Sequence, residues 1–305
     1  MKPSKLQAWI MAARPRTLPA AVSPVLVGSA LAFYEGVFRP GPALAALLGS
    51  LLIQIGANFA NDYMDFLKGS DTKERLGPTR VTSAGLLSLR EVQAGTGVVF
   101  GLAVLCGVYL TLAAGWPVVV VGLLSILAAL AYTGGPYPLG YNGLGEIFAF
   151  LFFGLAAVGG TYYVQARSYS LAAFAASIPV GCLVVAILVV NNLRDIATDR
   201  TAGKRTTAVR YGEHWTRREY AILLALAFFS PVLMAMSALL PVWILVVWLG
   251  APLGFRLIHA VAADTGRALN RSLAGTGTLV LVFSLLFSLG MIIGKIIVTV
   301  QYIGN

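Results

Sequence analysis

Two stretches of the chain place acidic and amide side chains at helical spacing. The first reads NFANDYMDFLKGSD, from Asn58 to Asp71, and the second NNLRDIATDRTAGKRT, from Asn191 to Thr206. On a helix Asn58, Asp62 and Asp65 fall at i, i+4 and i+7 and share one face; Asn191, Asp195 and Asp199 do the same one turn apart. Oxygen ligands converging from two such faces suit magnesium, which keeps part of its water shell and bridges a few carboxylates to substrate phosphates. Zinc suits them poorly, because His214 and His259 are isolated and no cysteine lies nearby. Cations interleave with the acids: Lys68, Lys73, Arg75 and Arg80 follow the first motif, and Arg194, Arg200, Lys204, Arg205 and Arg210 surround the second. Carboxylates hold metal, whereas guanidinium and ammonium groups hold phosphate oxygens. Lys68, Arg80, Arg194, Lys204 and Arg205 are the expected diphosphate contacts; Lys73, Arg75 and Arg210 are assigned to membrane topology.

The elements that carry these motifs are apolar. Hydrophobic residues make up 58% of the 305, charged residues 11%, and the mean hydropathy is +0.82, values that belong in a bilayer. Nine stretches approach the roughly 20 residues that a crossing helix needs: 18–34, 41–61, 94–114, 116–133, 144–165, 170–192, 219–239, 241–260 and 273–300. Long apolar runs without alternation predict a helix bundle rather than a barrel. The formal charge of +10 is not a nucleic-acid surface, because all but Arg39, Arg167 and Lys295 of the 22 Lys and Arg residues fall on one side of the nine spans. The positive-inside rule therefore puts the N-terminus and the segments 62–93 and 193–218 in the cytoplasm, with the C-terminus outside.

Lys2 and Lys5 ahead of an apolar run resemble a signal peptide, but removing the first span would discard the basic tail that orients the rest, so a retained span is expected. No linker divides the chain, and 1–305 is read as one domain. Cys106 and Cys182 fall inside spans and are assigned to packing, as are the glycine pairs Gly97 and Gly101, and Gly290 and Gly294. Asn58 and Asp62 recur in spacing as Asn191 and Asp195 four spans later, each pair followed by another carboxylate, Asp65 or Asp199, as a duplicated helical unit around a cavity would have it.

Neither a Walker loop nor a G-x-S-x-G elbow is present, which leaves nucleotide hydrolysis and acyl transfer without their signatures. Departure of a diphosphate is the remaining chemistry. An aspartate near the bilayer centre costs about 2.5–3.5 kcal/mol, so two clusters of them imply bound cations and a function.

At NDYMDFLKGSD and NNLRDIATD the chain resembles the UbiA superfamily of intramembrane aromatic prenyltransferases, over nearly its whole length. ARPRTLPAAVSPVLVGSALA at 13–32, YTGGPYPLGYNGLGE at 132–146 and DRTAGKRTTAVRYG at 199–212 resemble its menaquinone branch. The resemblance implies an all-α bundle of nine transmembrane helices around a central cavity open to the cytoplasm. It also implies magnesium ions, a polyprenyl diphosphate donor and 1,4-dihydroxy-2-naphthoate as the acceptor, prenylated at its carboxyl-bearing carbon with loss of carbon dioxide. Asn58, Asp62, Asp65, Asn191, Asp195 and Asp199 become metal or diphosphate ligands, with Asp62, Asp65, Asp195 and Asp199 catalytic. Asp71 departs from relatives that carry this acid at the position of Gly69, and Pro136 stands where many have a lysine four residues after the tyrosine held here by Tyr132. Tyr132, Arg14 and Arg16 are the expected contacts to the aromatic substrate, and Glu146 is left between a helix cap and the cavity. Two alternatives stay open: another acceptor, such as 4-hydroxybenzoate or homogentisate, or a phytyl donor; and an ion-coupled transporter, which would spread its acids through mid-membrane depth.

Overall fold

The computed structural model describes residues 3–69 and 76–303, and the described residues contain helices and loops with no strand. The helices are α1 (Lys5–Ala13), α2 (Pro19–Tyr34), α3 (Pro40–Leu67), α4 (Leu89–Ala114), α5 (Pro117–Ala131), α6 (Gly145–Ala149), α7 (Gly160–Ala166), α8 (Leu171–Thr201), α9 (Thr207–Met236), α10 (Ala251–Ala263) and α11 (Leu269–Ile303). A π-helical stretch, Phe150–Gly159, joins α6 to α7 without a break. Asp71, Lys73 and Arg75 lie outside the described residues, as does Lys2.

Length sorts the nine expected spans. Seven helical segments are long and apolar enough to cross a bilayer, and an eighth counts if Lys5–Thr17 and Pro19–Tyr34, bent by 53°, are taken as one broken span. The remaining segment, α5, has 15 residues. At 1.5 Å per residue it reaches roughly 22 Å, against a hydrocarbon core of about 30 Å. It nevertheless joins opposite ends of the bundle. Just before it, the Ala113 carbonyl accepts from Arg167 at the far end (2.8 Å), and just after it Thr133 bonds Asn61 (2.8 Å) beside the first motif.

Lipid tails are as apolar as leucine, so these helices associate through close packing rather than by escape from water. α8 is the axis: 78% of its apolar window is buried, and it packs on α9, α11, α2 and the π-helical stretch. Glycines set the closest approaches. A methyl group on Gly154 would fall 3.0 Å from the Cα of Gly181, and one on Gly28 would fall 2.5 Å from the Val158 carbonyl oxygen. Gly290 and Gly294 pack as expected, against Trp243 and Pro241 respectively, whereas Gly97 and Gly101 meet nothing within 4 Å. The assignment of Gly97 and Gly101 to helix packing is therefore corrected. Cys182 is buried in the core, and Cys106 is half-buried on the wall of the cavity.

The two motif helices run in the same direction, so the C-terminal ends of α3 and α8 meet at one end of the bundle. α1 lies across that end. Ser4 and Gln7 form a capping box at its start, and Ala8 and Ala12 pack with Phe59, Val81, Leu87 and Val92. Lys5 bonds Glu91 (2.7 Å), which itself caps α4 by accepting from the Ser88 backbone.

Replacement of Gly290 by leucine should destabilise the protein by about 1–3 kcal/mol through overpacking. The same change at Gly97 should stay within about 0.5 kcal/mol. Thermal unfolding in detergent distinguishes them, and equal losses would contradict the packing described.

Candidate active site

A cavity of about 900 Å³ runs inside the bundle. At the motif end its wall includes Asp65, Arg80, Arg194, Asp195, Asp199 and Lys204, and at the far end Thr111, Leu112, Pro117 and Tyr169. Between them the wall is apolar, with Phe148, Phe152 and Phe153 from α6 and the π-helical stretch.

Each acid on the cavity wall is matched to a base. Asp65 is 4% exposed; it pairs with Arg80 and accepts from the Tyr141 hydroxyl at 2.7 Å. Arg194 grips Asp195 with two nitrogens, at 2.8 and 2.5 Å, and also donates to Asn191 (2.8 Å) and to Asn270 on α11 (2.8 Å). Lys204, on the turn after α8, lies 3.3 Å from Asp199. Lys204 and Lys68 sit 4.6 and 4.9 Å from the centre of the Tyr141 ring, so that one phenol bridges the two motifs by a hydrogen bond and two cation–π contacts.

Several expected residues are placed elsewhere. Asp62, 1% exposed, does not face the cavity: its two oxygens accept from the backbone N–H groups of Val81 (3.1 Å) and Thr82 (3.0 Å). Asn58 reaches the cavity, but its amide nitrogen is committed to Ala13 (2.9 Å) and Thr17 (3.1 Å), holding the bend between α1 and α2. Lys68 donates to the Thr133 carbonyl at the cavity mouth (2.5 Å). Burial holds its ammonium below the usual lysine range, opposed by Asp65 and assisted by Lys204. Arg205 and Arg16 are exposed and off the cavity wall, although the Arg205 backbone bonds the Tyr141 carbonyl (2.6 Å). Arg14 and Tyr132 do line it. Arg210, assigned only to topology, donates to the Asn142 carbonyl (2.7 Å). Glu146 is buried behind the wall, where it accepts from Asn192 (3.0 Å) and Thr207.

The motif spacing did not reveal Asn61, Tyr141, Asn192 or Asn270. Asn61 and Asn192 each stand one residue from a named ligand, and Tyr141 lies in the glycine-rich 132–146 stretch; Asn270 is remote in sequence and carries no signal. Among the described residues no three acidic, cysteine or histidine side chains form a ready metal cluster. The donor set is oxygen-only and its acids are few, as magnesium shared with substrate phosphates requires.

The model of the UbiA prenyltransferase family matches residues 21–274. The chain belongs to this family. It is 38% identical over 299 residues to the 1,4-dihydroxy-2-naphthoate octaprenyltransferase of Escherichia coli, covering 96% of this chain and 97% of that one. It is 38% identical over 289 residues to the enzyme of the same name from Mycobacterium tuberculosis, covering 94% and 98%. A UbiA homolog from Aeropyrum pernix superposes with a TM-score of 0.69 at 17% identity, over 90% of this chain and 97% of that one. A homolog from Archaeoglobus fulgidus bound to DMAPP and Mg2+ gives 0.60 at 14%, over 92% and 99%. These neighbours establish the UbiA fold, a helical bundle within the membrane.

Removing the Tyr141 hydroxyl as Tyr141→Phe should slow prenyl transfer on the order of tenfold, since a hydrogen bond to a charged group contributes about 1.5–3 kcal/mol. Initial rates on purified protein measure this, and an unchanged rate would remove Tyr141 from the site.

Proposed function

We propose that this chain transfers a polyprenyl group from polyprenyl diphosphate to 1,4-dihydroxy-2-naphthoate, releasing diphosphate and carbon dioxide and giving a demethylmenaquinol. The observation that carries this reading is the joining of both motif ends, with their three ion pairs, to one end of a long apolar cavity. The 38% identity over nearly full length to relatives named for that reaction supports the choice of acceptor.

Asp65, Asp195 and Asp199, with the amide oxygens of Asn61 and Asn191, are the proposed magnesium ligands. Bound magnesium would neutralise charge on the leaving diphosphate. Arg80, Arg194 and Lys204 serve the phosphate oxygens, and Lys68 extends that set at the mouth. Each ion pair thus has two outlets: the acid turns to metal, the base to phosphate, and local charge stays balanced.

Breakage of the allylic C–O bond sends its electron pair to diphosphate and leaves positive charge on the prenyl carbon. Phe148 and Phe152 keep water from it, and the π-face of Tyr132 screens it. The naphthoate carbon bearing the carboxylate forms the new C–C bond; loss of carbon dioxide returns its bonding electrons to the ring. Arg14 is the proposed contact to that carboxylate before it leaves. By the positive-inside rule the motif end faces the cytoplasm, in a bacterial inner membrane.

Purified protein given a polyprenyl diphosphate, magnesium and 1,4-dihydroxy-2-naphthoate should yield prenylated quinol detectable by mass spectrometry. Product should vanish with EDTA and fall at least about a hundredfold in Asp65→Ala and Asp195→Ala, since each change removes a proposed ligand of the magnesium that would stabilise the leaving diphosphate. Product with 4-hydroxybenzoate or homogentisate alone would reassign the acceptor.

A further inference from the structure

Residues 76–87 cross the motif end as a strap between α3 and α4, and the strap is tied to both motifs by residues that face away from the cavity. On one side Asp62 takes up two consecutive backbone N–H groups, Val81 and Thr82, while Val81 and Leu87 are buried against α1 and Phe59. On the other side the Leu76 carbonyl accepts from Asn270 (3.0 Å), whose own carbonyl oxygen accepts from Arg194 (2.8 Å). Gly77 lies directly over that guanidinium, where a methyl group would fall 2.8 Å from Arg194 Nη2. Between the two ties the strap presents Arg80, which pairs with Asp65 on the cavity wall.

We propose that Asp62 and Asn270 are positioning residues that hold this strap, and that Asp62 therefore acts through Arg80 and not as a magnesium ligand. A carboxylate with both oxygens on backbone amides and no face on the cavity is spent as a loop anchor. Two adjacent N–H groups are a site that a carboxylate fills and an amide cannot, because the –NH2 half of asparagine would meet a donor with a donor. Asn270 completes the arrangement by linking Leu76 to the guanidinium that grips Asp195, so the strap is referred to the second motif as well as to the first. What Arg80 does for the ligand rests on the function proposed above; how the strap is held does not.

The two are tested separately. Hydrogen exchange on the protein without ligand should show the Val81 and Thr82 amides protected, and Asp62→Asn should speed their exchange on the order of tenfold or more. Binding of geranyl diphosphate is then measured across a magnesium titration. Asp62→Asn and Asn270→Ala should each weaken binding on the order of tenfold at saturating magnesium and leave the half-saturating magnesium concentration unchanged, and Asp62→Asn should add less than about twofold in an Arg80→Ala background. Asp65→Asn, by contrast, should raise the half-saturating magnesium. Gly77→Ala, whose added methyl group would meet the Arg194 guanidinium, should weaken binding as Asn270→Ala does. An Asp62→Asn variant whose magnesium requirement moves with that of Asp65→Asn, or whose Val81 and Thr82 amides exchange as in the wild type, overturns the proposal. Wild-type protein that binds no prenyl diphosphate overturns the proposed function, while the exchange result still decides the role of Asp62.

Discussion

Acidic side chains sit where two apolar helices end, and the rest of the motif end is organised around that load. The C-terminus of a helix already carries partial negative charge. Asp62 and Asp65 add to it on α3, and Asp195 and Asp199 on α8, in a setting with little water to screen them. Each acid is answered from a different part of the chain: Asp65 by Arg80 on the strap, Asp195 by its own neighbour Arg194, Asp199 by Lys204 on the following turn, and Asp62 by backbone N–H groups. Loops that would otherwise be loose are drawn over the bundle by this demand. The same pairs leave the site ready for a doubly charged anion and its counter-ion, because nothing has to be brought in from bulk water to balance either.

The helices were legible because lipid imposes a length and a composition on any segment that crosses it. The limits of that reading show at α5, where apolar residues continue from 116 to 133 although Trp116 and Tyr132 already flank the helix. Hydropathy counts residues, whereas the backbone decides how many are helical. The glycine pairs show the same gap. Gly97 and Gly101 have the spacing of a packing motif, but that face of α4 meets no neighbour, and the spacing alone does not say what stands opposite.

Spacing on a helix also located the two acidic faces, and Asp65, Asp195 and Asp199 do reach one cavity. Asp62 lies off that cavity, because a shared face three or four residues wide spans enough arc for one edge to turn toward a loop. Asp62 faces the strap, Asn58 stands on the cavity wall with its amide nitrogen turned to Thr17, and Asn61, one turn before Asp65, stands on the wall as well. Tyr141 and Asn270 were invisible for a different reason: their roles come from tertiary contacts between segments far apart in the chain, such as Asn270 with Leu76.

The shortness of α5 has a consequence for the membrane itself. A wall roughly 8 Å shorter than the hydrocarbon core around it draws the two headgroup layers together locally, at a modest cost per ångström of mismatch. None of its residues is buried within the protein, and both Val119 and Leu123 belong at once to the exposed surface and to the cavity lining. The same holds on the adjoining face of α4, where Val104, Val108 and Leu112 are exposed and line the cavity, so a long isoprenoid tail has the least protein to cross along these two helices.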